Sequence, residues 1–215
     1  MKRFTRFAFA CALAVFAALG AAHAVRAQQI PPELYSKLKW RLIGPFRAGR
    51  VTSVTGIPGN TAVYYIGTPG GGVWKTVDGG SVWTPIFDDA RVASVGDVAV
   101  ARTNASIIYV GTGEQTVGNG MWKSIDAGAS WNHIGLEQTH FISTVLIDPK
   151  NPDIVLVAAL GDRTSGDQRG VFRTTDGGKS WARTLYRDET SGVIDMTYDP
   201  SAPSIVFAAF QRRPG

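Results

Sequence analysis

The sequence predicts an all-β protein made of repeated four-stranded antiparallel sheets, and three observations support this prediction. A twelve-residue segment occurs three times, and its aspartates are 48 and 50 residues apart. A β-rich apolar run precedes each copy. Glycine is frequent, with 25 in 215 residues, and six Trp and six Tyr accompany it, a mixture that suits short strands and tight turns. Four short strands in a repeated unit of this length are typical of the blades of a β-propeller.

The repeated segment contains the pattern Ser/Thr-x-Asp-x-Gly-x-x-Trp, and we place it on the turn between the third and fourth strands. The aspartate can accept hydrogen bonds from the backbone of its own turn, the glycine tolerates a positive φ, and the Trp supplies a large apolar surface. A catalytic acid is needed at one place, whereas these residues recur in equivalent turns, so we interpret them as structural. They are Asp78, Trp83, Asp126, Trp131, Asp176 and Trp181.

The strand pattern predicts three complete blades near residues 46–88, 93–136 and 141–187, and a half blade at 191–210. In the second blade the strands are expected near 95–101, 107–111, 120–124 and 130–134. Propellers typically close with about four to eight blades, so about three and a half blades make an incomplete ring. We therefore expect the N-terminal fragment of a longer protein, and the alternative is a ring closed by another copy. Either the remaining blades or a second copy would cover the open edges.

Residues 1–27 predict a secretory signal peptide. A short basic region is followed by an apolar run and by small residues, with cleavage after Ala24 or Ala27. A lead-in over residues 28–39 then precedes a partial propeller over 40–215. The single cysteine, Cys11, leaves with the signal, and no later apolar run is long enough to span a membrane. We expect export to the periplasm or the exterior of a bacterial cell.

The charge of the mature chain excludes several partners. The formal net charge of +5 falls to +1 without residues 1–27, because 22 − 4 = 18 basic residues then face 17 acidic ones. A basic surface for nucleic acid has no support, so we expect no nucleic-acid partner. Only His133 and His140 remain as histidines and no cysteine remains, so we expect neither a metal site nor a cofactor.

The repeated turns resemble those of the Asp-box, or bacterial neuraminidase repeat (BNR), propellers. Residues 40–51, 70–76, 110–114 and 133–137 are similar to the sortilin N-terminal-type propeller of large exported bacterial glycosyl-hydrolase-like proteins. This resemblance covers residues 38–215. It implies that the boxed aspartate is structural and lies away from any active centre. It also implies a glycoside hydrolase, sialidase-like or xyloglucanase-like, as an alternative function.

Up-and-down connectivity assigns the loops of each blade to two faces. The a–b and c–d turns share one face, whereas the b–c loops and d–a connections share the other, where we expect any ligand site. An arginine beside carboxylates can hold an anionic sugar or a peptide carboxylate, although such residues are also common as solvated surface charges. The ligand-binding candidates are Arg47, Arg50, Glu114, Arg163 and Arg169.

The sequence therefore predicts an exported binding or scaffold module for a peptide or a glycan, and no catalytic residue is assigned. The alternative is part of a glycoside hydrolase. Such enzymes usually need two carboxyl groups roughly 5 to 9.5 Å apart, and Glu114 with Asp162, from adjacent blades, is the pair to propose.

Overall fold

The computed structural model describes residues 31, 49–114, 116–162, 166 and 168–212. The chain divides into units at 1–47 and 48–215, and every strand given below lies in the second unit. The predicted signal peptide and lead-in lie outside the described residues, apart from Pro31. No helix in the described part of the chain is long and apolar enough to cross a membrane.

The described residues of the second unit form three four-stranded antiparallel sheets and one two-stranded sheet, which we call blades 1 to 3 and the half blade. Blade 1 consists of β1 (Ser53–Ile57), β2 (Asn60–Thr68), β3 (Gly72–Thr76) and β4 (Thr84–Pro85). Blade 2 consists of β5 (Val95–Val100), β6 (Ile108–Thr112), β7 (Met121–Ser124) and β8 (Asn132–His133). Blade 3 consists of β9 (Ile142–Ile147), β10 (Val155–Ala159), β11 (Gly170–Thr174) and β12 (Ala182–Leu185). The half blade consists of β13 (Ser191–Tyr198) and β14 (Val206–Arg212). The predicted fold class, with about three and a half blades, is confirmed.

The fourth strand of blade 2 is shorter than the sequence predicts. The strand expected at 130–134 is β8, which has only two residues, and β4 is equally short. Backbone bonding nevertheless continues beyond both strands, since Ile86 N donates to Val73 O at 3.0 Å and Ile134 N donates to Met121 O at 2.8 Å. Gly135 then takes a φ of 98°, and its carbonyl still accepts from Met121 N at 2.8 Å.

Successive blades pack face to face around an axis lined by their first strands. β1 contacts β5, β5 contacts β9, and β9 contacts β13. Apolar side chains fill each interface: Tyr65 and Phe87 of blade 1 lie in one cluster with Val98 and Ile108 of blade 2. Similar clusters join blade 2 to blade 3 and blade 3 to the half blade. Burial between neighbouring blades is therefore the main source of stability.

The repeated turn has the same hydrogen bonds in all three blades. In blade 1, Thr76 Oγ1 donates to Asp78 Oδ1 at 2.7 Å and accepts from Gly80 N at 3.0 Å. Asp78 Oδ1 also accepts from Val82 N at 2.9 Å. The corresponding bonds recur at Asp126 and Asp176, where a serine hydroxyl four residues later donates as well. The donors stabilise the ionised carboxylates, so the pKa of Asp126 falls to about 2 and the pKa values of the other two are also lowered.

The Trp of this turn reaches the preceding blade. Trp131 Nε1 donates to Ile86 O at 2.6 Å, and Trp181 Nε1 donates to Ile134 O at 2.7 Å. The two acceptors are equivalent, because Ile86 and Ile134 each lie three residues after the Trp of their own blade. The turn thus connects neighbouring blades as well as two strands of its own blade.

The glycine of the turn permits close contact at the same place. Gly178 has a φ of 94°, and a Cβ built there would lie 2.5 Å from Ile134 Cδ1. At Gly128 the corresponding distance, to Ile86 Cδ1, is 2.6 Å. We call the combination of the Trp N–H, the turn glycine and the isoleucine of the preceding blade the blade latch.

A polar side chain occupies the same position in the first strand of every blade, opposite a small residue of the second strand. These side chains are Ser53, Asp97, Thr144 and Asp195. They bond from blade to blade: Val98 N donates to Ser53 Oγ at 3.0 Å, and Val145 N donates to Asp97 Oδ2 at 2.7 Å. Burial raises the pKa of the Asp97 carboxyl to about 6, although these backbone N–H groups oppose the rise.

Candidate functional site

A cavity of about 310 Å³ lies where the first strands begin, close to the axis. The b–c loop of blade 2 contributes Gly113 and Glu114 to its wall, and Leu160, just after the second strand of blade 3, lies opposite. The segment before β1 contributes Arg50 and Thr52. We call this the axial cavity. It lies on the face formed by the b–c loops and d–a connections, where the sequence places any ligand site.

Two of the predicted site residues meet in this cavity. The Arg50 guanidinium contacts Glu114 Oε1, and the two side chains are 58% and 33% exposed. The second carboxylate oxygen, Glu114 Oε2, is buried and has no hydrogen-bond partner among the described residues, and the same holds for Thr52 Oγ1. A buried polar atom without a partner costs free energy.

A close approach of two backbones positions Glu114. Gly113 has a φ of 91°, and a Cβ at this position would overlap the carbonyl oxygen of His140. Glu114 N donates to Ser94 Oγ at 3.0 Å, and Gly118 N, further along the loop, donates to His140 O at 2.8 Å. The loop is therefore fixed to the connection that precedes β9.

Asp162 lies beside the same connection, at the neighbouring b–c loop. His140 Nδ1 lies 3.4 Å from Asp162 Oδ2, within range of an ion pair when the imidazole is protonated. The Glu114 loop contacts the His140 backbone, and Asp162 contacts its ring. The two carboxylates that the sequence pairs thus lie on loops that both contact His140.

Arg169 is buried, with 1% of its surface exposed. Its Nη1 donates to Leu160 O at 2.5 Å, and its Nη2 donates to Asp162 O. The side chain therefore bonds the two ends of the b–c loop of blade 3. The remaining candidates, Arg47 and Arg163, lie outside the described residues.

Sequence reasoning missed two polar residues near the axis, Thr52 and Asp97. Thr52 enters the cavity only because the chain preceding β1 runs past its mouth, which no local motif signals. Asp97 follows a glycine in a predicted strand and resembles an ordinary exposed polar position. Ser53, Asp97, Thr144 and Asp195 are equivalent in the strand register, but their intervals in the sequence differ, so no regular spacing signals them.

The comparisons with known proteins support the fold. No family model and no curated protein matches the sequence. Among solved structures, an ancestral GH74 enzyme matches with a TM-score of 0.63 and 22% identity over 79% of this chain and 23% of its own. The GH74 xyloglucanase from Xanthomonas campestris matches with a TM-score of 0.58 and 16% identity over 80% and 29% of the two chains. The chain has a β-propeller fold.

A third structure, YCF48 from Cyanidioschyzon merolae, has a TM-score of 0.52 and 15% identity over 76% of this chain and 49% of its own. The chain therefore spans about a quarter of the length of the two GH74 structures and about half of YCF48. At these identities the likeness establishes the fold alone.

Proposed function

We propose that the chain is an exported propeller module that binds a peptide or a glycan in the axial cavity. One observation carries the proposal: the ion pair of Arg50 and Glu114, with its half-exposed guanidinium, lines a cavity on the face where the sequence predicts a ligand site. Binding sites are typically concave with a few convergent polar groups, and this cavity combines polar and apolar side chains in its wall.

The residues around the cavity favour binding by a preformed site. Ser94 and the His140 backbone fix the Glu114 loop through the bonds described above. Phe141 and Ile142, which form part of the wall, are buried within the sheet assembly. A ligand would therefore meet groups that are already oriented, and little ordering would reduce its affinity.

The test is a screen of the full chain against immobilised peptides and glycans, followed by titration of each ligand found. Arg50→Gln and Glu114→Gln each remove one charged group of the cavity, and we expect each to weaken binding by about tenfold, the loss of one hydrogen bond to a charged group. Glu137→Gln is the matched control, because Glu137 lies on the same face but is 60% exposed and does not line the cavity. Ligands that bind all three variants as tightly as the wild type would refute the site.

A glycoside hydrolase is the second candidate, favoured by the common contact of the Glu114 and Asp162 loops with His140. Turnover of xyloglucan or of a sialoside, lost in both Glu114→Gln and Asp162→Asn, would establish the enzyme. Binding without turnover would leave the binding module as the function.

We also propose that further blades, of a longer chain or of a second copy, cover the open half blade. Phe207 and Ile205 are 58% and 49% exposed there, and among the described residues β14 pairs only with β13. Exposed apolar strands of this kind promote association. Light scattering on the purified chain measures its mass: a stable monomer without aggregation would contradict this proposal.

A further inference from the structure

Among the described residues, the half blade has only the first two of the four strands that form every other blade. In blades 1 to 3 the second strand pairs with the first strand on one side and with the third on the other. The third and fourth strands form a hairpin around the repeated turn. Three features of the open side of the half blade match such a hairpin.

The first feature is the outer edge of β14. The backbone groups of successive residues in a strand point to alternate sides, and Asp199 N donates to Ile205 O at 2.9 Å on the side of β13. The N–H and C=O groups of Ala208 and Phe210, which lie three and five residues after Ile205, therefore face outward. They form an unpaired edge that can accept another strand.

Blade 2 shows how a third strand uses the corresponding edge. Thr112 has the position that Phe210 has in the half blade. Its backbone N donates to Gly120 O at 3.1 Å, immediately before β7. A third strand added to β14 would form the same bond with Phe210.

The second feature is an exposed apolar side chain of blade 3. In blade 1 the residue four positions after the repeated Trp is Phe87, which is 1% exposed. Trp122 and Trp131 of the next hairpin pack edge-on against its ring, with centroids 5.8 and 5.0 Å away. Leu185 has this position in blade 3 and is 42% exposed. A hairpin on β14 would bury Leu185 as the hairpin of blade 2 buries Phe87.

The third feature is a cation on the third strand of blade 3. In blade 1, Lys75 Nζ donates to Ala127 O at 3.0 Å. In blade 2, Lys123 Nζ donates to Gly177 O at 3.2 Å. Each acceptor belongs to the repeated turn of the next blade and directly follows its aspartate. Arg173 is the corresponding residue of blade 3 and is exposed, so its guanidinium can donate to the same carbonyl of one further turn.

The sheet order indicates where the hairpin comes from. In a folded copy of the chain, the third and fourth strands of blades 1 to 3 already pair within their own sheets. A second copy could therefore donate a hairpin only by opening one of its blades and losing the burial between them. A segment that continues the chain beyond β14 could add its hairpin without that loss.

We propose that the open side of the half blade binds a β-hairpin with the pattern Ser/Thr-x-Asp-x-Gly-x-x-Trp, contributed by a further repeat of the same polypeptide. Its first strand pairs antiparallel with β14, its aromatic side chains cover Leu185, and its turn accepts a hydrogen bond from Arg173. This inference rests on the proposed covering of the half blade and names the element that covers it.

The test supplies such a hairpin in trans, as a synthetic peptide with the sequence of residues 120–135. This peptide contains the two Trp residues that cover Phe87 in blade 2. Calorimetric titration of the full chain measures its binding, and hydrogen exchange followed by NMR reports on the backbone amides of β14. We expect the peptide to bind and to slow the exchange of the outward amides of Ala208 and Phe210.

Backbone methylation provides a matched pair of control peptides. In blade 2, Met121 N donates to Gly135 O of its own hairpin, so Trp122, the next residue, turns its N–H toward β6. His133 pairs with Trp122 across the hairpin, so its N–H points to the outer edge of β8. We expect N-methylation at Trp122 to weaken binding about tenfold or more through one lost hydrogen bond and a steric block, and N-methylation at His133 to change it by less than about twofold.

A variant of the chain tests the apolar contact. Leu185→Ser should weaken binding of the peptide about tenfold, because it removes apolar surface that the hairpin covers. Val82→Ser is the control, since Val82 is also exposed but lies on the turn of blade 1. Equal affinities of the two variants would contradict the predicted position of the hairpin.

The outcomes separate this inference from the proposed covering. A peptide that does not bind, methylated peptides that bind alike, or unchanged exchange at Ala208 and Phe210 would each overturn the hairpin inference. Association of the purified chain in light scattering would then leave covering by another copy standing. A stable monomer that also fails to bind the peptide would overturn both.

Discussion

The raised pKa of the Asp97 carboxyl predicts how the free energy of unfolding depends on pH. Its pKa is about 6 in the folded chain, against 3.8 for an unperturbed aspartate, because burial disfavours the charged form. The folded state therefore binds the proton more tightly than the unfolded state. This contribution to stability is fully present below pH 3.8 and is lost as the pH rises through about 6.

The size of the effect follows from the shift in pKa. About two units correspond to about 3 kcal/mol at most, and the free energy of unfolding should be about 2 kcal/mol higher at pH 4.5 than at pH 7 from this group alone. Asp97→Asn places a side chain of the same shape that does not titrate. The variant should therefore lack this part of the pH dependence.

Equilibrium urea unfolding of the wild type and the variant at pH 4.5 and pH 7 measures the difference directly. The control is Asp195→Asn, which removes a carboxylate at the equivalent position of the half blade, where the residue is exposed. This control should keep most of the pH dependence. Equal pH dependence in the wild type and in Asp97→Asn would show that the Asp97 carboxyl is not perturbed by burial, and the reasoning would fail.

Three further predictions concern the repeated turn. Trp131→Phe should lower the free energy of unfolding by about 1 kcal/mol, because the indole N–H loses its bond to Ile86 O of the preceding blade. The loss should be smaller in Trp83→Phe, whose indole makes no such bond to a described residue, and thermal unfolding of the two variants provides the comparison. Gly178→Ala should lower the free energy of unfolding by about 1 to 3 kcal/mol more than Gly80→Ala does. Both glycines have a positive φ, but of the two only Gly178 faces an isoleucine of another blade. Equal losses of unfolding free energy in urea would exclude this steric contribution. Asp126→Asn should make the loss of stability below pH 4 less steep. The Asp126 carboxyl has a pKa of about 2 in the folded chain, so it contributes stability above pH 3.8 that is lost on acidification. An unchanged acid unfolding curve would contradict this.

The repeated turn could be predicted from the sequence because its bonds are local. Each carboxylate binds groups no more than four residues away, so the spacing of Ser or Thr, Asp and Gly already contains the geometry. The strand order follows for the same reason, since every strand pairs with its neighbour in the chain. The fourth strand of blade 2 is shorter than the predicted 130–134, because only Asn132 and His133 form ladder pairs with β7.

The contacts between blades could not be predicted in this way. Trp131 is predicted to be a large apolar residue with one N–H to satisfy, but its acceptor lies 45 residues earlier in the chain. The face that holds the cavity follows from connectivity, whereas the meeting of Arg50 with Glu114 depends on how the first two blades pack. The burial of Asp97 likewise depends on the backbone of the next blade, which supplies Val145 N.

The blade latch also bears on how such a chain could lengthen during evolution. The second repeat carries both halves of the contact: Ile134 and its carbonyl for the repeat that follows, and Trp131 with Gly128 for the repeat that precedes. A gene duplication of a unit like the second, 48 to 50 residues long, therefore adds a blade that already fits its neighbour on both sides. The ring can grow one repeat at a time without new complementary substitutions, and selection can then act on the b–c loops, which take no part in the latch.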